Sequence, residues 1–147
     1  MVTRLIVACS VMALCVTIHA AGLAFALRWL HDPAGAHPVL SNLRLFIRVA
    51  AWIVVLHLLE ILAWAALYVG NGALPDMTTA VYFSSVTYTT TGYGDVVLPA
   101  RWRLDGGVEA LTGILMCGWS TGFFFAVGSR MHETPSVNAG APATSAA

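Results

Sequence analysis

Along most of this chain apolar residues do not alternate with polar ones; they run on. Three apolar runs stand out, at about Leu5 to Leu30, Arg44 to Val69 and Leu104 to Met131. Each is predicted to be a helix, and the first is roughly 26 residues long, enough to cross a bilayer with some tilt. Between the first two, residues 31–43 form a connector in which Asp32-Pro33, Gly35 and His37-Pro38 break any helix and Ser41 or Asn42 can cap the next. Gly70-Asn71-Gly72 ends the second run. At Leu74-Pro75-Asp76 a new element starts, with Asp76 as cap or Pro75 as first helical residue. It runs from 76 to 88, about 13 residues, too short to cross the membrane. Val81, Tyr82, Phe83, Val86, Thr87 and Tyr88 also suit a strand. An isolated strand between two spans would leave its backbone unpaired, so a short re-entrant helix is expected instead.

Composition narrows the class. The chain has 147 residues, 59% hydrophobic and 10% charged, with a mean hydropathy of +0.79. That describes one small integral membrane unit and excludes a set of soluble domains. The seven basic residues are all arginine and lie scattered, so no nucleic-acid partner is expected. Cys9, Cys15 and Cys117 lack paired metal spacing and are read as small buried hydrophobes. Arg4 and Ala24-Phe25-Ala26 have the look of a signal peptide. The apolar run continues well past the 7–15 residues of such a core, so a retained helix is expected. No nucleophile–base pair, phosphate loop or metal cluster appears, His57 and Glu60 are too far from a His-Glu-x-x-His pattern to suggest zinc, and an enzyme is not expected. Residues 132–147 are too poor in large hydrophobes to fold alone and are read as a disordered tail.

Chemistry concentrates in the polar stretch Thr89-Thr90-Thr91-Gly92-Tyr93-Gly94-Asp95. Glycine reaches positive φ without a Cβ penalty, so alternate peptides can turn and aim successive carbonyls one way. Such carbonyls can replace a cation's water shell. Irregular backbone at membrane depth persists only where protein buries it or it lines a watery path.

With Thr87 three positions before Thr90, this stretch closely resembles the selectivity filter of potassium channels. The resemblance spans roughly residues 44–131, with an outer helix at 44–69 and an inner helix at 104–131 on either side. It implies an all-α membrane protein of the bacterial two-helix pore type with an extra N-terminal transmembrane helix, three transmembrane helices in all. A re-entrant pore helix precedes the filter at 89–95, and four copies assemble as a homotetramer within membrane lipid. Potassium is the permeant ligand, and no cofactor is implied. By the same resemblance Thr90, Thr91, Gly92 and Tyr93 hold potassium through their carbonyls, Thr90 also through its hydroxyl, and Gly94 shapes the mouth. Thr87, Asp95 and Tyr82 support the filter. A glycine of the inner helix, Gly113 or Gly118, is a candidate hinge, with simple packing as the alternative.

Some positions depart from the family pattern. Thr91 stands where valine or isoleucine is usual, Tyr82-Phe83 replace a tryptophan pair, and Val86 excludes a carboxylate that some members carry. A weakly selective cation channel and a non-conducting subunit of the same fold are the alternatives. His57 and Glu60 share a helical face, and Glu109 sits early in the third run. Ionisable groups inside a span are costly, so these three are expected to brace the pore helix or Asp95 from behind, or to sense protons. His19 is read as a core or helix-contact residue. The family's pore loop enters from outside, which implies an exterior N-terminus and a cytoplasmic C-terminus in the bacterial inner membrane. Arg28, Arg44, Arg48 and Arg130 then lie inside against Arg4, Arg101 and Arg103 outside, a weak positive-inside bias.

Overall fold

The computed structural model describes residues 2–28 and 38–132. Four helices account for most of them: α1 Val2–Ala26, α2 Pro38–Gly70, α3 Met77–Tyr88 and α4 Arg103–His132, with a 3-10 turn at Ala100–Trp102. Helices α1, α2 and α4 are long and apolar enough to cross a membrane. At 33 residues α2 extends for about 50 Å, whereas the 12 residues of α3 reach about 18 Å, well short of a bilayer core. The protein is an all-α, multi-pass membrane protein.

Helix α2 begins earlier than expected. Residues 38–43, assigned to the connector, are helical, and Pro38 opens the helix instead of breaking it. A proline costs nothing at the first helical position, where its missing N–H has no partner in any case. Ser41 and Asn42 therefore lie inside the helix and do not cap it. The remainder of that connector up to residue 37, and the tail from 133, lie outside the described residues. The far end of α2 closes with Gly72 at φ 63° and with Ala73 N–H donating to Tyr68 O at 2.8 Å.

Helix α1 lies against α2 and α4, and α3 is wedged between α2 and α4. Its N-cap is Asp76, which accepts from Thr79 N–H and Thr79 Oγ1, both at 2.8 Å; Pro75 precedes the cap and is not helical. These bonds hold the Asp76 carboxyl below the usual carboxylate range, the backbone one foremost.

One buried cluster gathers Trp64, Tyr68, Tyr88, Leu98 and Trp102, and a second gathers Leu23, Val49, Ile53 and Leu56. Small residues set two close crossings, as membrane helices favour. A Cβ on Gly22 would meet Leu56 Cδ2 at 2.3 Å, and one on Gly113 would meet the Tyr88 carbonyl oxygen at 1.8 Å. At the end of the bundle where α1 begins, Arg4 stacks 4.1 Å over the Trp102 ring and donates to Arg101 O at 2.8 Å. Of the cysteines only Cys15 is buried; Cys9 and Cys117 are exposed on the chain, contrary to their reading as core residues. In a membrane helix the outward face is as apolar as the inward one, so apolar flanks do not signal burial.

Candidate functional site

Helix α3 delivers the polar stretch. Its last residue is Tyr88 and its C-cap Thr89, whose N–H bonds to Ser85 O at 3.2 Å and whose hydroxyl bonds to the same oxygen at 2.7 Å. The chain then turns back over the helix end. Thr90 N–H donates to Thr87 O at 2.9 Å, and Thr91 and Gly92 N–H both donate to Val86 O, at 2.9 and 3.3 Å. Carbonyls that a helix end leaves unpaired are thereby satisfied, and the loop is tied to its helix.

Beyond that point every second residue is left-handed: Thr90 at φ 59°, Gly92 at 58° and Gly94 at 78°, while Thr91 and Tyr93 are not. For Gly92 and Gly94 this costs little. Thr90 is β-branched, so its conformation stores strain of about 1–3 kcal/mol, offset by the bonds around it. Thr90 is the one non-glycine residue with positive φ among those described.

Behind the loop stands Tyr82 of α3. Its hydroxyl donates to Asp95 Oδ2 at 2.6 Å, fastening the far end of the loop to the middle of the helix. This bond holds the Asp95 carboxyl below the usual carboxylate range and raises the Tyr82 phenol. At the two positions read as replacing a tryptophan pair, Tyr82 thus keeps a donor, and Phe83 meets Tyr68 in a T-shaped contact, ring centroids 5.5 Å apart. Thr87 and Val86 line an open pocket of about 200 Å³ together with Tyr82, Gly92, Gly94 and Asp95. The Thr91 hydroxyl does not dangle: it meets Thr89 Oγ1 at 2.9 Å.

The three ionisable residues of the spans do not form one group. His57 and Glu60 lie behind α3, where His57 Nδ1 is 3.0 Å from the Tyr88 hydroxyl, and that hydroxyl donates to Glu60 Oε2. Glu109 sits elsewhere, accepting from Tyr68 at 2.8 Å through Oε2, with no partner for Oε1 among the described residues. Asp95 takes its hydrogen bond from Tyr82 and not from any of these three. Bracing through Tyr88 therefore fits the geometry of His57 and Glu60, while Glu109 fastens α4 to α2. Of the two hinge candidates, Gly113 is where α4 presses on the Tyr88 carbonyl, and a Cβ on Gly118 would meet nothing within 4 Å.

Sequence reasoning undervalued His19 and missed Ser120. His19 Nδ1 lies 2.9 Å from Glu60 Oε1, and Ser120 Oγ lies 3.0 Å from His19 Nε2 and 3.2 Å from His57 Nε2. A histidine in an otherwise apolar helix was the available signal for the first. Nothing local distinguishes Ser120 from the other hydroxyls of α4.

Two helices of membrane-spanning length thus bracket a short helix and a backbone loop. A family model described as ion channel matches residues 52–130, more than half of the chain, and the protein belongs to that ion channel family. No curated protein and no solved structure matches it.

Proposed function

We propose that the protein is a potassium-selective channel in which four copies set residues 90–94 around one axis. The observation that carries this is the left-handed conformation at 90, 92 and 94, which allows alternate peptides to turn so that successive carbonyls face one side. Thr90, Thr91, Gly92 and Tyr93 then coordinate potassium through their carbonyls, Thr90 adding its hydroxyl and Gly94 forming the mouth. The C-terminus of α3, the negative end of a helix dipole, ends at this loop and favours a cation there.

A single chain offers carbonyls from one direction only, and a dehydrated ion needs them all round. Exposure on the isolated chain supports assembly: Tyr93 is 72% exposed and Phe125 of α4 78%. Neighbouring copies would cover such surfaces near the axis, and lipid the rest. The contact of Arg4 with Arg101 puts these two arginines at one end, in line with an exterior N-terminus and the arginine-richer end facing the cytoplasm.

Potassium and sodium flux through purified protein in liposomes tests the reading. Potassium uptake well above sodium uptake is expected, and Gly92→Ala is expected to abolish it while the protein still inserts. Equal uptake of the two ions would leave a weakly selective cation channel. No flux at all would overturn the conducting role.

A further inference from the structure

Midway through the bundle all four helices bring polar side chains to one buried point. His19 comes from α1, His57 and Glu60 from α2, Tyr88 from α3 and Ser120 from α4; His19 and Glu60 are wholly buried, and Ser120 and Tyr88 nearly so. Their contacts close a ring that runs His19, Glu60, Tyr88, His57, Ser120 and back to His19. The two imidazole centroids are 5.2 Å apart.

Each of the five contacts needs one proton. With both imidazoles neutral and the carboxylate ionised, the two histidines, the tyrosine and the serine bring only four. Something positive is missing from the ring. Both Nδ1 atoms point at the same carboxylate, 2.9 Å from Oε1 for His19 and 3.4 Å from Oε2 for His57. Ligand atoms of His19, His57 and Glu60 all lie within 4.8 Å of one another. Around a tetrahedral ion with nitrogen and oxygen ligands at 2.0–2.1 Å, neighbouring ligands sit roughly 3.3 Å apart.

We propose that this ring is a binding site for a transition-metal dication of the zinc class. His19 Nδ1, His57 Nδ1 and the Glu60 carboxylate are its ligands, and the Tyr88 hydroxyl takes the fourth position. With the ion on both Nδ1 atoms, each imidazole carries its proton on Nε2. Both Nε2–H groups then face the same acceptor, Ser120 Oγ, whose two lone pairs accept them at 3.0 and 3.2 Å. An outer partner that sets the tautomer of ligating histidines is the usual companion of such ions. Coordination displaces the Tyr88 proton to solvent, as metal binding releases protons, and leaves a dication, a carboxylate and a phenolate, a neutral site suited to an apolar bundle. Two imidazoles and one carboxylate select zinc, cobalt or nickel over potassium, magnesium or calcium, so the site is separate from the conduction loop.

Titration of Zn²⁺ and Co²⁺ into the purified full-length protein in detergent tests this, with no dependence on flux or on the potassium reading. One ion per chain is expected, with the visible bands of a four-coordinate Co²⁺ site and no thiolate charge transfer. His19→Ala and His57→Ala are each expected to lose saturable binding. Ser120→Ala keeps every ligand and is expected to weaken affinity about 10–100-fold. Replacing Cys9, Cys15 and Cys117 together by serine is expected to leave binding intact. Helix content and oligomer size, measured alongside, separate lost binding from lost folding. Should the histidine variants fail to fold, Ser120→Ala decides alone, and unchanged affinity in it overturns the site. No saturable binding, binding that survives in folded His57→Ala, or imidazoles that titrate while no dication binds would each overturn it too.

Discussion

Tyr88 belongs to the buried ring and Thr89 begins the loop, so two neighbouring residues divide regions built on opposite terms. In the loop, the backbone hydrogen bonds reach back no further than Ser85, and its longest strut, Tyr82 to Asp95, spans thirteen residues. Its glycines have open space: a Cβ on Gly92 or Gly94 would meet nothing within 4 Å of the isolated chain. What shapes the loop is backbone conformation. In the ring, contacts join residues from 28 to 101 positions apart, among side chains that are buried except for the part-exposed His57. What shapes it is how four helices cross. Changes in the loop should therefore act on conduction with little effect on the helices, and changes in the ring should loosen the helices themselves.

The largest expected break comes from the ring. Glu60→Ala removes the carboxylate on which His19, Tyr88 and the His57 ring converge, leaving the buried His19 Nδ1 unpaired and the Tyr88 hydroxyl with His57 alone. A loss of about 3–5 kcal/mol is expected, read as a fall in folded, assembled protein in detergent. Glu60→Gln, which keeps an acceptor, should lose clearly less. Equal losses would mean that the charge of the carboxylate, not its volume or its acceptor oxygens, matters.

Gly113→Ala comes next and strikes both regions, because the added methyl would meet the Tyr88 carbonyl at 1.8 Å. Either α4 or the end of α3 must move, at a cost of about 1–3 kcal/mol per chain. Thermal stability and flux should fall together. Gly118→Ala, with nothing near its Cβ, serves as the control and should leave stability unchanged.

Gly92→Ala isolates the loop. Its penalty is again about 1–3 kcal/mol, but it is conformational, since φ is 58° and no atom stands in the way. Flux should vanish while helix content and assembly hold. Loss of assembly together with flux would erase the contrast between the two regions.

Tyr82→Phe removes the strut and sharpens the comparison through pH. The Asp95 pKa is lowered by this bond, so its stabilising effect is present above the unfolded carboxylate value and lost as pH falls through the lower folded one. The Tyr82 pKa is raised, so its share is present below the unfolded phenol value, about 10, and lost as pH rises above it. Wild-type loop order, followed by fluorescence or flux, should hold between these limits and weaken progressively as pH falls below the unfolded carboxylate value, about 4. In Tyr82→Phe the acid limb should be gone. The smallest effect is expected from Thr91→Val, which gives up only the hydroxyl contact with Thr89. Potassium flux should persist with its ratio to sodium flux equal or higher, and a ratio that falls would overturn this.

Much of this was readable in residue order, for a physical reason. Span lengths, the short helix between Asp76 and Tyr88, and the glycines at 92 and 94 all rest on interactions within a few residues. Turn and cap chemistry at Asp76 and Gly72 is equally local. Where local rules misled, they did so at Pro38, because a proline that breaks a helix interior also suits a helix start.

By itself, then, the order of residues determined three helices long and apolar enough to cross a membrane, a short helix between two of them and a loop able to turn its carbonyls one way. Tertiary structure alone decided which polar groups meet. His57 and Glu60 join His19 and Ser120, whereas Glu109 goes to Tyr68, and Gly113 becomes a contact with Tyr88. These helices are apolar on nearly every side, because lipid and protein neighbours ask for the same side chains. Periodicity therefore cannot mark the inward face, and only the crossing of the helices brings residues 19, 57, 60, 88 and 120 to one point.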